Sequence, residues 1–110
     1  PMKEKITITN NSSAEFLIKY AIQEGYKLSV TYHDCEPDEF AIEDSVDAAE
    51  ILDHATAADT SLVVVKDVGG RDIVAMIVPS LMGEEQVADH HCHEFFDKMT
   101  AAYEELVGDL

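Results

Sequence analysis

Basic residues are scarce in this sequence. Its 110 residues include 7 Lys and Arg against 23 Asp and Glu, which gives a formal net charge of −16. Direct nucleic-acid binding is therefore not expected, because it needs clustered Lys and Arg side chains. A small domain stays soluble with a net charge of roughly 2 to 8 in magnitude, so solubility alone does not require so many acids.

Cysteines are few, and long apolar runs are absent. Cys35 and Cys92 have no local pairing motif, which indicates free thiols in a reducing compartment rather than a disulfide framework. There is no secretory signal pattern and no apolar run long enough to span a bilayer. We therefore expect a cytoplasmic protein without a membrane partner.

The length and the hydrophobic pattern predict one domain over residues 1–110 of the α+β class. Helical spacing of apolar residues predicts helices over 14–22, from Asp44 or Ser45 to about Ala55, and over 85–107. Alternating or β-branched runs predict strands over 5–9, 28–32, 40–42, 62–65 and 73–78, with a hairpin at Gly69–Gly70. The predicted order is β-α-β-β-α-β-β-α, a mainly antiparallel sheet with helices on one face.

The segment between Lys27 and Lys66 contains ten acids and no base. On a helix, Glu43, Asp47, Glu50 and Asp53 would form one carboxylate face opposite an apolar face. A solvated helix face and a functional anionic surface both explain this pattern. The predicted partner-binding residues are Asp34, Glu36, Asp38, Glu39, Glu43, Asp44, Asp47, Glu50 and Asp53.

The run Asp89-His90-His91-Cys92-His93-Glu94 has the residue types of a metal site. If this run is helical, Cys92 continues an apolar stripe into the core, and the three histidines point about 100° apart. They could not then share one ion. Only the i,i+4 pairs Asp89–His93 and His90–Glu94 could cooperate, and His33 and Cys35 could complete a site only if the fold brought their loop close. We therefore predict no metal and no cofactor.

No pattern typical of catalysis is present. Neither cysteine lies in a known nucleophile motif, and no carboxylate pair stands out as a general acid and base. Gly69–Gly70 lacks the GK[ST] of a phosphate-binding loop. We expect a protein that is not an enzyme and has no catalytic residues.

Four short motifs follow one another along the chain. They are Gly25-Tyr26 leading into Leu28-Ser29-Val30, then Ser45-Val46-Asp47 opening a helix, a Gly-centred hairpin, and Val87-Ala88-Asp89-His90 before a C-terminal helix. In this layout the chain resembles small proteins that are common in phages and prophages. The chain departs from that pattern after Pro79, at Ser80-Leu81-Met82-Gly83. In size and charge it is also similar to anti-CRISPR proteins and other DNA-mimic inhibitors. That resemblance implies occlusion of a nucleic-acid channel.

The leading hypothesis is an acidic inhibitory protein whose carboxylates occupy a basic groove on a nucleic-acid-binding host protein. One alternative is a protein that sequesters a small molecule in a pocket or a homodimer interface. Another is a structural or assembly protein with a solubilising acidic surface. Convergence of Lys66, Arg71 and Lys98 would favour an anionic small-molecule ligand.

Overall fold

The computed structural model describes residues 5–9, 11–32, 40–66, 69–81, 83–90 and 94–108, apart from the side chain of Glu84. These ranges fold as an α+β domain, as the sequence predicts. The helices are α1 (Ser13–Gln23), α2 (Ala48–Ala55) and α3 (Glu94–Gly108), with a short 3-10 helix at Gly83–Gln86. The strands are β1 (Lys27–Tyr32), β2 (Ile42–Ser45), β3 (Ser61–Lys66), β4 (Asp72–Ile77) and β5 (Val87–His90).

The five strands form one sheet in the order β2-β1-β3-β4-β5, and every neighbouring pair is antiparallel. Since β2 and β3 lie on either side of β1, they run parallel to each other, and α2 makes the crossover between them. β3 and β4 are interior strands. Their connection includes Gly70 at φ +80°, a conformation that glycine adopts without a Cβ clash, so the glycine-centred hairpin is confirmed.

The helices cover one face of the sheet. Alternate residues of a strand point to opposite faces, and Val63, Val65, Ile73 and Ala75 are buried on the helix side. The same core cluster includes Leu17 and Ile18 from α1, Ile51 from α2 and Phe96 from α3. The prediction of helices packed on one face of an antiparallel sheet is therefore confirmed.

Local signals set the ends of α1. Ser12 is the N-cap, and its Oγ accepts a hydrogen bond from the Glu15 N–H at 3.1 Å. At the other end, Gly25 has φ +92° and its N–H donates to the Ile22 carbonyl. Such a glycine ends a helix by satisfying carbonyls that have no partner in the next turn. The helix predicted over 14–22 is therefore confirmed.

The strand predicted at residues 5–9 is wrong. The structure assigns these residues no strand, because side chains of α1 engage their backbone. The Thr9 N–H donates to Glu15 Oε1 at 2.8 Å, and Lys19 Nζ donates to the Thr7 carbonyl at 2.7 Å. This segment is therefore held against α1 by hydrogen bonds and does not extend the sheet.

The predicted start of the last helix is also wrong. Residues 85 and 86 belong to the 3-10 helix, and Val87–His90 forms β5, which pairs with β4. The helix begins at Glu94. Ala88, four residues before Cys92 and therefore in phase with the predicted apolar stripe, is instead exposed on this edge strand. The phase predicted for Cys92 concerns a residue outside the described ranges.

Candidate functional site

Five of the predicted partner-binding acids are described, and all five are exposed at one edge of the sheet. We call this group the acidic edge. It consists of Glu43, Asp44, Asp47, Glu50 and Asp53. Asp34, Glu36, Asp38 and Glu39 lie outside the described residues.

The single carboxylate-lined helix face predicted from sequence is not formed. Helix α2 begins at Ala48, so Glu43 and Asp44 belong to strand β2, and Asp47 is the helix N-cap. Only Glu50 and Asp53 are helical, separated by a rise of about 4.5 Å along the axis. The acidic edge therefore combines a strand, a cap and a helix.

A β-bulge places Asp44. The pairing of β1 with β2 shifts register between Leu28 and Val30, and Asp44 adopts φ +50° there. Its N–H donates to Ser29 Oγ at 3.0 Å. Bulges re-aim side chains at sheet edges, and aspartate tolerates the left-handed region better than most residues. The bulge brings Asp44 Oδ1 to 4.0 Å from Lys66 Nζ.

Capping positions the rest of the edge. Asp47 Oδ1 accepts a hydrogen bond from the Glu50 N–H at 3.2 Å, and the negative charge of Glu50 in the first turn suits the helix dipole. At the other end, the buried Ser61 hydroxyl donates to the Ala55 carbonyl at 2.7 Å. These two bonds fix both ends of the eight-residue helix that carries Glu50 and Asp53.

Exposed apolar side chains flank the acidic edge. Phe40 is 38% exposed and Val46 is 59% exposed. Among the described residues the other large exposed apolar side chain is Leu81, so two of the three border these acids in sequence. Within the same described ranges, no Lys or Arg forms an ion pair with Glu43, Glu50 or Asp53.

Lys66, Arg71 and Lys98 do not form one basic site. Lys66 is the last residue of β3 and points to the face away from the helices, beside Asp44. Arg71 lies just before β4 in the same hairpin. Lys98 lies on α3, in the helical layer, where its Nζ is 3.0 Å from Glu94 Oε1. Lys66 and Lys98 therefore lie on opposite sides of the sheet, which gives no support to the anionic-ligand alternative.

A cleft of about 510 Å³ lies between β5, the 3-10 helix and α3. Its floor includes the buried Ser13, whose Oγ donates to the Gly83 carbonyl at 2.8 Å and accepts from the Val87 N–H at 3.2 Å. His90 lines the cleft and stacks on the Phe96 ring at a centroid distance of 4.2 Å. Sequence reasoning missed this cleft, because the predicted helix over 85–107 hid strand β5.

In the part of the chain that the structure describes, no three His, Cys, Asp or Glu side chains are grouped as a metal site. His90 is described, whereas His33, Cys35, His91, Cys92 and His93 lie outside the described residues. None of the described helices is both long enough and apolar enough to cross a membrane.

The fold and the acidic edge define the class only as an α+β domain with an anionic surface. Comparison with protein-family models, curated proteins and solved structures finds no match for the chain.

Proposed function

We propose that this protein is a non-enzymatic inhibitor of phage or mobile-element type, similar in action to anti-CRISPR proteins and DNA mimics. Its acidic edge occupies a basic groove on a nucleic-acid-binding host protein, and it acts in the host cytoplasm. The observation that carries the proposal is the exposed acidic edge with flanking Phe40 and Val46. Charge steers the encounter, and apolar contact adds affinity that salt does not screen.

The bonding of the edge supports this role. Asp47 keeps α2 capped, so Glu50 and Asp53 are presented on a fixed helix rather than on a mobile loop. Charged side chains on a fixed helix lose less conformational entropy when a partner binds than side chains on a mobile loop do. A purely solubilising surface would need neither a fixed geometry nor adjacent exposed apolar side chains.

The test is displacement of labelled DNA from a panel of nucleic-acid-binding host proteins, including CRISPR effector complexes. The variant E43Q/E50Q/D53N removes three charges and leaves the Asp47 cap intact. Its matched control, D97N/E104Q/E105Q, removes three exposed charges from α3. We expect about tenfold weaker inhibition for the first variant, from roughly 0.5 kcal/mol per exposed pair, and little change for the control.

A third variant, V46S, tests the apolar contact without changing charge. It should weaken inhibition equally at low and moderate salt, whereas the loss in E43Q/E50Q/D53N should shrink as salt rises. Equal losses in the edge variant and its α3 control would refute the proposal. They would show that overall charge, not this edge, drives binding.

A second candidate function rests on the cleft of about 510 Å³, since sites for drug-sized ligands occupy roughly 300–1,000 Å³. In this case the protein sequesters a small molecule. The substitution T100W would fill the cleft from α3, where Thr100 is one of the lining residues. Loss of activity in T100W with full activity in E43Q/E50Q/D53N would favour this candidate over the inhibitor.

A further inference from the structure

A second concave site lies where the C-terminus of α1 meets the N-terminus of α3. It is a cavity of about 210 Å³ lined by three aromatic rings, two carboxylates and one ammonium group. The rings and carboxylates, which we call the cation cage, are Tyr20, Glu24, Tyr26, Glu94 and Phe95. Lys98 lies at its rim. None of these residues belongs to the acidic edge.

The aromatic rings hold one another in place. Phe95 is buried, and its ring centroid lies 5.7 Å from that of Tyr20 and 5.2 Å from that of Tyr26. The Tyr26 ring stands almost perpendicular to Phe95, at 86°. Phe16 stacks on Tyr20 from α1 at 5.8 Å. Contacts with Phe16 and Phe95 therefore restrain the Tyr20 ring, and contact with Phe95 restrains the Tyr26 ring.

The charges of the cavity suit a cation. The C-terminal end of α1, capped by Glu24, carries a partial negative charge from the helix dipole. The charge of Glu94 opposes the partial positive charge at the start of α3. Burial raises the pKa of Tyr20, and the charge of Glu24 and a hydrogen bond to its carboxylate raise it further, so this ring stays a neutral phenol at physiological pH.

The chain already places one ammonium group at this site. Lys98 Nζ lies 3.0 Å from Glu94 Oε1, and a hydrogen bond and the charge of Glu94 raise the pKa of Lys98. The pair is exposed, at 66% for Lys98 and 73% for Glu94, and exposed pairs contribute little to stability. An incoming cation can therefore displace Lys98 from Glu94 at small cost.

We propose that the cation cage binds an organic ammonium ion, with aromatic faces against its alkyl groups and carboxylates around its charge. Aromatic rings attract such ions through their quadrupole, and quaternary ammonium groups are the usual ligands of aromatic cages. The volume is below that of sites for drug-sized ligands, so the cage takes a head group rather than a whole large ligand. This inference does not rest on the proposed inhibitory function.

The test uses choline as the probe and its neutral isostere 3,3-dimethyl-1-butanol as the comparison. Binding is followed by NMR, through upfield shifts of the N-methyl protons and through the ring protons of the protein. Choline should bind at least about tenfold more tightly than the neutral isostere, because only choline carries a charge for the rings and carboxylates. Equal binding of the two would overturn the proposal.

Variants assign the binding to the cage. Y26L removes one ring face and should weaken choline binding about threefold or more. E24Q removes one carboxylate at the exposed end of α1 and should weaken choline binding. E105Q makes an equal charge change on α3, away from the cage, and should not weaken it. K98A removes the internal competitor and should tighten binding, by up to about fivefold.

Weaker binding in K98A, or equal losses in E24Q and E105Q, would overturn the assignment. Dispersed amide spectra check that Y26L is folded. If Y26L is not folded, E24Q tests the cage instead, because Glu24 is exposed. A peptide with one trimethyl-lysine forms the second arm. Tighter binding of the peptide than of choline assigns a partner's side chain as the ligand, and the reverse assigns a free small molecule.

Discussion

The hydroxyl of Ser61 connects α2 to the sheet, and the loss of stability on its removal can be estimated. Ser61 is the first residue of β3 and is fully buried. Its Oγ donates to the carbonyl of Ala55, the last residue of α2, at 2.7 Å. Since Ala55 is also fully buried, the substitution S61A leaves this carbonyl without that donor and away from bulk water.

The magnitude follows from two contributions. A neutral hydrogen bond contributes about 1 kcal/mol net, and a buried acceptor left unsatisfied costs roughly 1–3 kcal/mol. We therefore expect S61A to lower the free energy of unfolding by about 2 kcal/mol. With an unfolding entropy of about 2.1 cal/mol/K per residue, a chain of this length should lose roughly 8 °C in Tm.

Urea and thermal unfolding, followed by circular dichroism, measure the effect. The control is S80A, at an exposed turn residue, which should change the free energy of unfolding by less than about 0.5 kcal/mol. A loss in S61A no larger than that of S80A would refute the reasoning. It would mean that the end of α2 does not depend on the Ser61 hydroxyl.

Three further predictions concern charge and backbone. Burial acts to raise the pKa of Glu15, but Lys19 and the Thr9 N–H outweigh it and hold the pKa below its ordinary value. The stabilisation that the Glu15 carboxylate provides is therefore full at pH 7 and is lost as pH falls through its folded-state pKa. By urea unfolding, E15Q should lower the free energy of unfolding by about 1 kcal/mol at pH 7 and by less near about pH 4. A difference that does not change with pH would contradict this. Sodium chloride should raise the urea midpoint, because it screens repulsion among the excess acids, and a falling midpoint would show that they are already paired. In thermal melts, G70A should lower the free energy of unfolding by about 1 kcal/mol. The loss comes from backbone strain at φ +80° alone, since an added Cβ meets nothing within 4 Å. The control G108A, with equal space in α3, should not destabilise the protein.

The parts of the fold that the sequence predicts are those with local signals. The Ser12 cap and Gly25 bound α1, and Gly70 marks the hairpin, because each of these residues satisfies a backbone requirement within a few positions of itself. The β-branched run of β3 indicates a strand from its residue types alone. For such elements a single sequence carries enough information.

The errors arise where residues distant in the sequence determine the local structure. Asp44 and Asp47 can both cap a helix, but pairing with β1 takes Asp44 into β2 and leaves the cap to Asp47. Likewise, Ala88 fits a helical stripe with the aromatic residues of α3. Pairing with β4 nevertheless makes its segment a strand, and no residue near Ala88 in the sequence reveals that pairing.

The candidate sites divide in the same way. The acidic edge was visible as composition, although its geometry was not. The cation cage was invisible, because Tyr20 and Phe95 are far apart in sequence and meet only when α3 packs against α1. Tyr26 joins them through the turn after Gly25, where no motif indicates a binding site.

Salt dependence separates the two proposed sites. The acidic edge acts largely through exposed charges, whose attraction is screened over a Debye length of about 8 Å at physiological ionic strength. The cation cage acts through contact with aromatic faces around the buried Phe95, where less solvent intervenes. Inhibition through the edge should therefore weaken more steeply with added salt than choline binding does, because the aromatic rings of the cage keep their contribution when its exposed carboxylates are screened. If both weakened equally, the excess negative charge of the whole chain would explain both, and neither surface would need to be a specific site.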